Sequence, residues 1–433
     1  MKFRRALIIA VAVIFVLVTS NLLTTKGVSA KFSQSYPAVV CPPTDSNVTS
    51  QVSIATKKIP FRIISGKSTV MAPIGTTRYS ITKGAILLDQ GATSSLAWQN
   101  LSGVWAGSTL CRAPQGDQWF VGGAADVTSK GRLYVVNSGL SDAIVDVAVW
   151  TAAGPQSGKV LTVRANSSSR VSLDLLAAGA TRLVIRVTAR SGRINAFLVD
   201  ERAKGLKTLG GDAVNSVDFP RTDFVIAGIP HQVTKGVGGP HVLRLLVPGN
   251  VDANIRVDSI SKDGVFVPVG FDGRVVPHGQ VIDVPLASTI AYSAFSLRIR
   301  SDQPLVAGVY SPLRMSDHQD IVWNAMSPPL VPMVMAITGL TPTLVFTGDV
   351  VDLIVSTRLT SGKTVTTHIV GNDNVIWKVP DKAQSITISG IKSSVAASGL
   401  ITSTSGIGAF PLAVGSTLAK APVPVSDIAV ISH

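Results

Sequence analysis

The stretch Leu133-Tyr134-Val135-Val136-Asn137-Ser138-Gly139, followed by Asp142-Ala143, Val145 and Val147, returns further along the chain. It reappears as Leu243-Arg244-Leu245-Leu246-Val247-Pro248-Gly249, then Asp252-Ala253, Ile255 and Val257. The offset is 110 from Leu133 and Leu243 through to Gly154 and Gly264. Beyond that it drifts slightly, so that Arg186-Val187 meets Arg298-Ile299 and Ala196 meets Ala307. Loop insertions between strands of fixed length produce such drift, so the chain reuses a domain-sized piece. Reuse of that kind points to a binding or structural scaffold more than to one catalytic pocket.

The repeated piece is read as β structure. In Ile144-Val145-Asp146-Val147-Ala148-Val149-Trp150 the positions Val145, Val147 and Val149 share one face, as do Ile255, Val257 and Ser259 in the second copy. Leu183–Val187 and Phe295–Ile299 are later strands of the same two pieces. Turn signals separate them at Asn137-Ser138-Gly139, Lys262-Asp263-Gly264 and Phe271-Asp272-Gly273. An opening strand, Trp119-Phe120-Val121-Gly122-Gly123, aligns with Phe224-Val225-Ile226-Ala227-Gly228 at an offset of 105. Composition agrees. Of 25 acidic residues only Glu201 is a glutamate, whereas Val, Thr, Ser and Gly abound. Glutamate favours helices, and β-branched residues favour pleated surfaces.

A fainter third copy runs from about Pro332 to Ile401, with Leu344–Gly348, Leu353–Val355, the turn Ser361-Gly362-Lys363 and Ser385–Ile388. The sequence therefore predicts an all-β chain of tandem antiparallel β-sandwich (immunoglobulin-like) modules behind an N-terminal signal or anchor helix. The expected divisions are 1–30 as signal peptide or anchor and 31–115 as an N-terminal β region without an alignable partner. Repeats follow at 116–205, 220–315 and, in degenerate form, 330–410. Residues 203–220 and 313–331 are read as connectors, and 411–433 as an extended tail.

Lys2, Arg4 and Arg5 precede the apolar run Ala6–Val18, and Val28-Ser29-Ala30 offers a cleavage site. Cleavage there would release the protein; an uncleaved segment 6–23 would hold it to the membrane. In an exported chain the two cysteines, Cys41 and Cys111, are expected to form a disulfide. The formal charge is +14, and +10 without residues 1–30, which hold Lys2, Arg4, Arg5 and Lys26 and no acid. That excess favours anionic lipids or acidic wall glycans as partners. The cations are scattered without interleaved aromatics, so nucleic acid is not expected.

Cys111, Trp119–Gly123, Leu133–Asn137, the valine-alternating strand after them, and Asp320-Ile321-Val322-Trp323 with Pro328-Pro329-Leu330 together resemble an uncharacterised actinobacterial family. Its members are exported, N-terminally anchored β-rich proteins, grouped as a domain of unknown function. The resemblance implies an extracytoplasmic protein connected with envelope polysaccharide, and it supplies no catalytic residues.

Sets of residues that carry chemistry are sparse. Gly66-Lys67-Ser68 and Gly362-Lys363-Thr364 lack the first glycine of a phosphate loop, since Phe61 and Thr357 stand there. Ser259…Lys262 and Ser389…Lys392 have acyl-enzyme spacing, but on strands such residues point to opposite faces. Asp317-His318-Gln319-Asp320 is the densest polar cluster and the one place where a metal or an aspartate-based enzyme would have to sit. No catalytic residue, metal or cofactor is assigned. Trp98 and Trp105 flank the polar turn Gln99–Gly103 and are the candidates for stacking on sugar rings. The remaining tryptophans are read as packing, with Trp119 and Trp323 as wedges between domains. The function expected from all this is a non-enzymatic envelope protein that binds or organises anionic wall glycan or its assembly machinery. The alternatives are a spacer or adhesin working through protein contacts, and a metal- or aspartate-dependent envelope enzyme.

Overall fold

Alternating valines and isoleucines bounded by Gly, Asn and Asp turns give short antiparallel strands, and their pairings follow one scheme four times over. The computed structural model describes residues 38–205, 207–231, 240–286 and 293–416. The signal or anchor segment and the end of the tail lie outside the described residues. Among those described, no helix is long and apolar enough to cross a membrane.

Copy two shows the scheme most plainly. Its strands are β9 (Asp117–Val121), β10 (Arg132–Asn137), β11 (Ala143–Thr151), β12 (Gly154–Pro155), β13 (Lys159–Val163), β14 (Ser167–Ser172), β15 (Val184–Ala189), β16 (Ile194–Lys204) and β17 (Lys207–Val214). One sheet runs β9–β15–β11, with β12 and β13 on the far side of β11. The other runs β14–β10–β16–β17. Val145, Val147 and Val149 of the first sheet and Leu133, Val135 and Leu198 of the second fill the space between them.

Copy three comprises β18 (Arg221–Ile229), β19 (Val242–Leu246), β20 (Ala253–Ser261), β21 (Gly264–Phe266), β22 (Arg274–Val276), β23 (Ile282–Pro285), β24 (Phe295–Arg314) and β25 (Gln319–Ala325). The long β24 serves both sheets. Its first half lies between β18 and β20, and its second half between β19 and β25. Copy four is built from β26 (Met333–Ala336), β27 (Thr343–Leu359), β28 (Thr364–Lys378), β29 (Ala383–Ser389), β30 (Ala396–Thr402) and β31 (Ile407–Pro411). There β27 and β28 each pass through both sheets, bent where the register shifts between Gly348 and Val351. The order β26–β29–β27 and the order β28–β27–β30–β31 reproduce the two sheets of copy two.

The region 31–115, which the sequence leaves unaligned, holds a fourth instance, here copy one. Its strands are β1 (Val39–Cys41), β2 (Thr49–Ser53), β3 (Pro60–Ile64), β4 (Ala72–Pro73), β5 (Arg78–Ile81), β6 (Ala85–Leu88), β7 (Thr93–Leu101) and β8 (Trp105–Leu110). They pair as β1–β6–β3–β4 and β5–β2–β7–β8. Cys41 and Cys111 are joined in a disulfide between the first strand of this copy and the end of its last.

Three expectations are corrected. The presumed connectors 203–220 and 313–331 contain β17 and β25, the last strands of copies two and three. Thr208, Leu209 and the glycines after them carry no strong strand pattern, and only pairing with β16 makes them one. The opening strands align at 106, not 105. Trp119 pairs with Arg186 and Val225 with Arg298, so Val225 is the counterpart of Trp119. The register of the later copy shifts again between Ile226 and Ile229, and a one-residue slip exchanges the two faces of a strand. Finally, the row of copies closes on itself. β26 of copy four pairs in parallel with β7 of copy one, so regions 31–115 and 330–410 share a sheet. Ser53 Oγ and Arg78 Nη1 both donate to the Thr338 carbonyl across this seam, at 2.9 and 2.8 Å.

The last strands β8, β17, β25 and β31 meet one another at the middle of this cycle. Small residues permit the approach. A methyl group on Gly210 (φ +133°) would lie 2.7 Å from the Asp320 Cα, and one on Gly107 2.7 Å from the Ala213 nitrogen. No ladder joins the four strands, so buried side chains satisfy their backbone groups instead. The buried Asp320 of β25 accepts from Gly211 N of β17 (3.1 Å), Ile407 N of β31 (3.0 Å) and Ala106 N of β8 (3.5 Å). Asp212 accepts from Trp323 N at 2.7 Å, and Asn215 bridges Ser108 O (2.9 Å) and Ala409 O (3.0 Å).

Candidate functional site

From copy one to copy four, the outward face of a copy's first sheet meets the second sheet of the next copy, whereas copy four joins copy one edge to edge through the shared sheet. At the junction of copies one and two, Val40 and Ile64 pack with Trp105, Tyr134 and Phe197. At the junction of copies two and three, Trp119 stacks on Trp150 with centroids 5.3 Å apart, and Arg186 lies 5.0 Å over the Trp119 ring. Both junctions are full.

The junction of copies three and four is not. The residues at the corresponding positions are Val225 for Trp119 and, at the original offset of 110, Ile260 for Trp150. Two aliphatic side chains thus stand where two indoles stack, and Thr347 and Ala396 face them from copy four. A cleft of about 400 Å³ results, lined by Arg221, Asp223, Arg298, Ser327, Thr347, Asp349, Ser393 and Ser394 beside the aliphatic floor.

The polar groups of the cleft divide into committed and free. Arg298 grips Asp223 through two hydrogen bonds, at 3.1 and 2.8 Å, and this pair holds the Asp223 carboxyl below its ordinary value. Copy two has the equivalent pair, Arg186 with Asp117, so Arg298–Asp223 belongs to the repeated architecture. Arg221 has no equivalent commitment. Among the described residues its guanidinium makes no ion pair and lies 4.3 Å over the half-exposed ring of Phe219. The carboxylate of Asp349 is 96% exposed at the rim, with its nearest cation, Arg298, 3.8 Å away.

The residues singled out from sequence fall elsewhere. Trp98 and Trp105 are 7% and 1% exposed. Trp98 joins the core of copy four and Trp105 packs against copy two, with Gly211 leaving room for its ring. The turn between them is at the surface, but both indoles point inward to seal copy junctions, so neither offers a face to a sugar. Trp323 is a wedge as expected: it projects from copy three into the core of copy two and donates from Nε1 to the buried Asp200 (2.9 Å).

The Asp317–Asp320 cluster is split because Asp317 and His318 lie in the turn before β25 and Asp320 lies within the strand. Asp317 and His318 hold each other at 2.6 Å near the surface, whereas Asp320 is turned into the strand junction. Among the described residues no three His, Cys, Asp or Glu side chains are placed to hold a metal ion. Burial pushes Asp320 up to about 7, against the N–H donors that pull it down, and pushes Asp212 well above the ordinary range.

The cleft escaped sequence reading because none of its residues forms a motif. Its one legible signal is the replacement of Trp119 and Trp150 by Val225 and Ile260. That becomes visible only at the correct offset of 106; at 105 Trp119 is set against Phe224 and no gap appears.

These features define an all-β protein whose two-sheet copies close into a cycle, with a polar cleft at one junction. Residues 83–370 match the family of unknown function (DUF5719), and the chain belongs to that family. No curated protein matches it. Among solved structures, Salmonella alpha-2-macroglobulin reacted with methylamine shows 10% identity and a TM-score of 0.13, covering 86% of this chain and 31% of that one. The present chain thus spans less than a third of that protein's length, and a score so low carries no argument about fold or function. The disulfide points to an extracytoplasmic setting.

Proposed function

We propose that the protein is a non-enzymatic component of the cell envelope that binds or organises anionic wall glycan, or the machinery that makes it, through the cleft between copies three and four. The cleft carries this reading. It is the junction where the repeated packing is relieved, and its lining mixes an aliphatic floor with hydroxyls, carboxylates and guanidinium groups. Such a mixture suits a polyhydroxylated ligand with an apolar ring face and some negative charge. The excess of positive charge supports it by drawing acidic polymer towards the surface. Export, with residues 1–30 as leader or anchor, and an immunoglobulin-like character of each two-sheet copy form part of the same proposal.

The test is retention of the purified full chain on intact wall, glycan-stripped wall and membrane fractions at low and high salt. Binding to glycan-bearing wall that persists at high salt is the expected result. Equal retention on stripped wall would sink the glycan reading, and loss of all binding at high salt would reduce it to counter-ion attraction.

A spacer or adhesin working through protein contacts is the second reading. It is favoured by the apolar segment Val265–Val269, where Val265, Phe266 and Val269 are 52%, 42% and 98% exposed.

A further inference from the structure

We infer that Arg221 is the specificity-determining residue of the cleft, and that it takes one carboxylate or phosphate carried on a saccharide. The inference rests on the cleft being the glycan site proposed above, and it names what that site discriminates.

The argument is one of elimination among the cations present. Arg298 gives Nε and Nη2 to Asp223 and has Asp349 3.8 Å from its Nη1, so its charge is already matched by carboxylates. Arg112, beside the neighbouring small hollow that Arg221 also lines, is held by Asp218 at 2.9 Å and by the Ser216 carbonyl and hydroxyl. Arg221 alone of the three has neither carboxylate nor hydrogen-bond partner for its side chain among the described residues. Its contact with Phe219 is a cation–ring one, with Cζ 4.3 Å from the ring centroid. That contact braces the group against the ring while its N–H donors have no hydrogen-bond partner among the described residues. That arrangement suits bidentate pairing with an oxyanion, and a flexible ammonium group does not reproduce it.

The rest of the cleft sets the size and character of the carrier. A volume of about 400 Å³ lies at the small end for ligand pockets and suits one or two sugar rings. Ser394 and Ser393, which donates to the Val350 carbonyl, line the cleft with hydroxyls, the Thr347 hydroxyl being buried against Ser296 and Asn374, and Asp349 presents an exposed carboxylate that accepts from sugar hydroxyl groups. A ligand carrying several closely spaced negative charges would place one of them against Asp349 or Asp223. The site therefore selects one oxyanion per ring-sized unit.

The experiment is calorimetric titration of the full chain in high salt, so that screening removes the general pull of its net charge. The probes are tetragalacturonate, maltotetraose bearing a single 6-phosphate, and plain maltotetraose. At least one of the charged probes is expected to bind about ten- to a hundred-fold more tightly than the neutral one, as befits one charge-assisted pair. Which of the two binds distinguishes carboxylate from phosphate. Arg221→Gln is expected to erase the preference, and Arg221→Lys to restore it only in part.

The double variant Val225→Trp/Ile260→Trp, which copies the filled junction of copies two and three, is expected to abolish binding of every probe. Equal affinity for charged and neutral probes, or a preference that survives Arg221→Gln, overturns the role of Arg221 while the cleft remains the site. Full recovery with Arg221→Lys overturns the planar, bidentate geometry. Failure of all probes, or binding that persists in the tryptophan double variant, overturns the proposed function itself. Arg221 is half-buried but its side chain makes no hydrogen bond or ion pair among the described residues, so its variants are expected to unfold close to the wild type, and unfolding curves accompany each titration.

Discussion

Replacing Asp320 by Asn tests whether the strand junction is held by a carboxyl group that keeps its proton. Burial raises this carboxyl to about 7, against the backbone donors of Ile321, Gly211, Ile407 and Ala106. In an unfolded chain an aspartate titrates near 4. The folded state therefore holds the proton more tightly, and between those values it binds more protons than the unfolded state. Stability from this group is fully present below about pH 4 and is lost as pH rises through about 7. A gap of about three pH units corresponds to roughly 4 kcal/mol, an upper bound for a single site. Asn cannot titrate, so that slope disappears from the variant. Its amide also turns an N–H group towards a backbone donor, which costs about 1–3 kcal/mol for each donor left unpaired. Denaturant unfolding of wild type and Asp320→Asn from pH 4.5 to 8.5 is the assay. The variant is expected to be clearly the less stable at pH 5, with the difference shrinking or reversing by pH 8. His241, lowered to about 4 by burial, titrates in both proteins and drops out of the difference; His318, lowered by partial burial but raised overall by Asp317, the Ser405 carbonyl and the charge of Asp320, is coupled to Asp320 and shares in the slope. Asp212 is raised by its own burial and also by the charge of Asp320, so the slope belongs to the pair. Parallel curves across the whole range would refute the reasoning. They would mean that the backbone donors keep Asp320 an ordinary carboxylate despite its burial.

Three further outcomes are expected. Reducing the Cys41–Cys111 bond, or changing both residues to Ser, releases a loop with a sequence separation of 70, and should lower unfolding stability by roughly 4 kcal/mol in denaturant titration. Gly210→Ala places a methyl group 2.7 Å from both the Asp320 Cα and the Ile321 nitrogen, at a backbone angle that alanine resists. It should cost roughly 2 kcal/mol or more by the same titration, whereas Ala at the open Gly116 should cost less than about 1. Trp323→Phe removes the 2.9 Å donor to the buried Asp200, leaving Arg202 as its remaining partner, and should cost about 1–3 kcal/mol, read from the unfolding midpoint.

Much of the fold is legible in the chain because strand alternation is a local property. Val145, Val147 and Val149 declare a half-buried strand wherever they are placed, and the offset of 110 declares that the piece is used twice. The glycine- and aspartate-bearing turns fix where those strands end. What escapes is whatever depends on partners distant in sequence. Strand β17 looks like a connector because Gly210, Gly211 and the short polar residues near them have no apolar rhythm, and β25 because Pro312 and Pro328-Pro329 bracket its short run Ile321-Val322-Trp323. They become strands only by pairing with β16 and β24. Copy one has the same pairing scheme as the others, yet its strands share too few side chains with them to be aligned, since a scheme of hydrogen bonds constrains the backbone more than the residues hung on it. Trp98 and Trp105 show the same limit from the other side. A tryptophan beside a polar turn reads identically whether its ring faces water or the next copy.

The sequence by itself determined that this is a β protein, that its pieces recur, that one disulfide is available and that the chain carries excess positive charge. These follow from residue type, period and spacing. The tertiary structure alone decided that the copies number four and close into a cycle, that Asp320 sits where their last strands meet, and that Val225 and Ile260 leave open the junction Trp119 and Trp150 fill elsewhere. Closure, burial and cleft all arise from contacts between residues up to about 300 positions apart. No local pattern encodes those contacts, because each depends on the shape its partner has already taken.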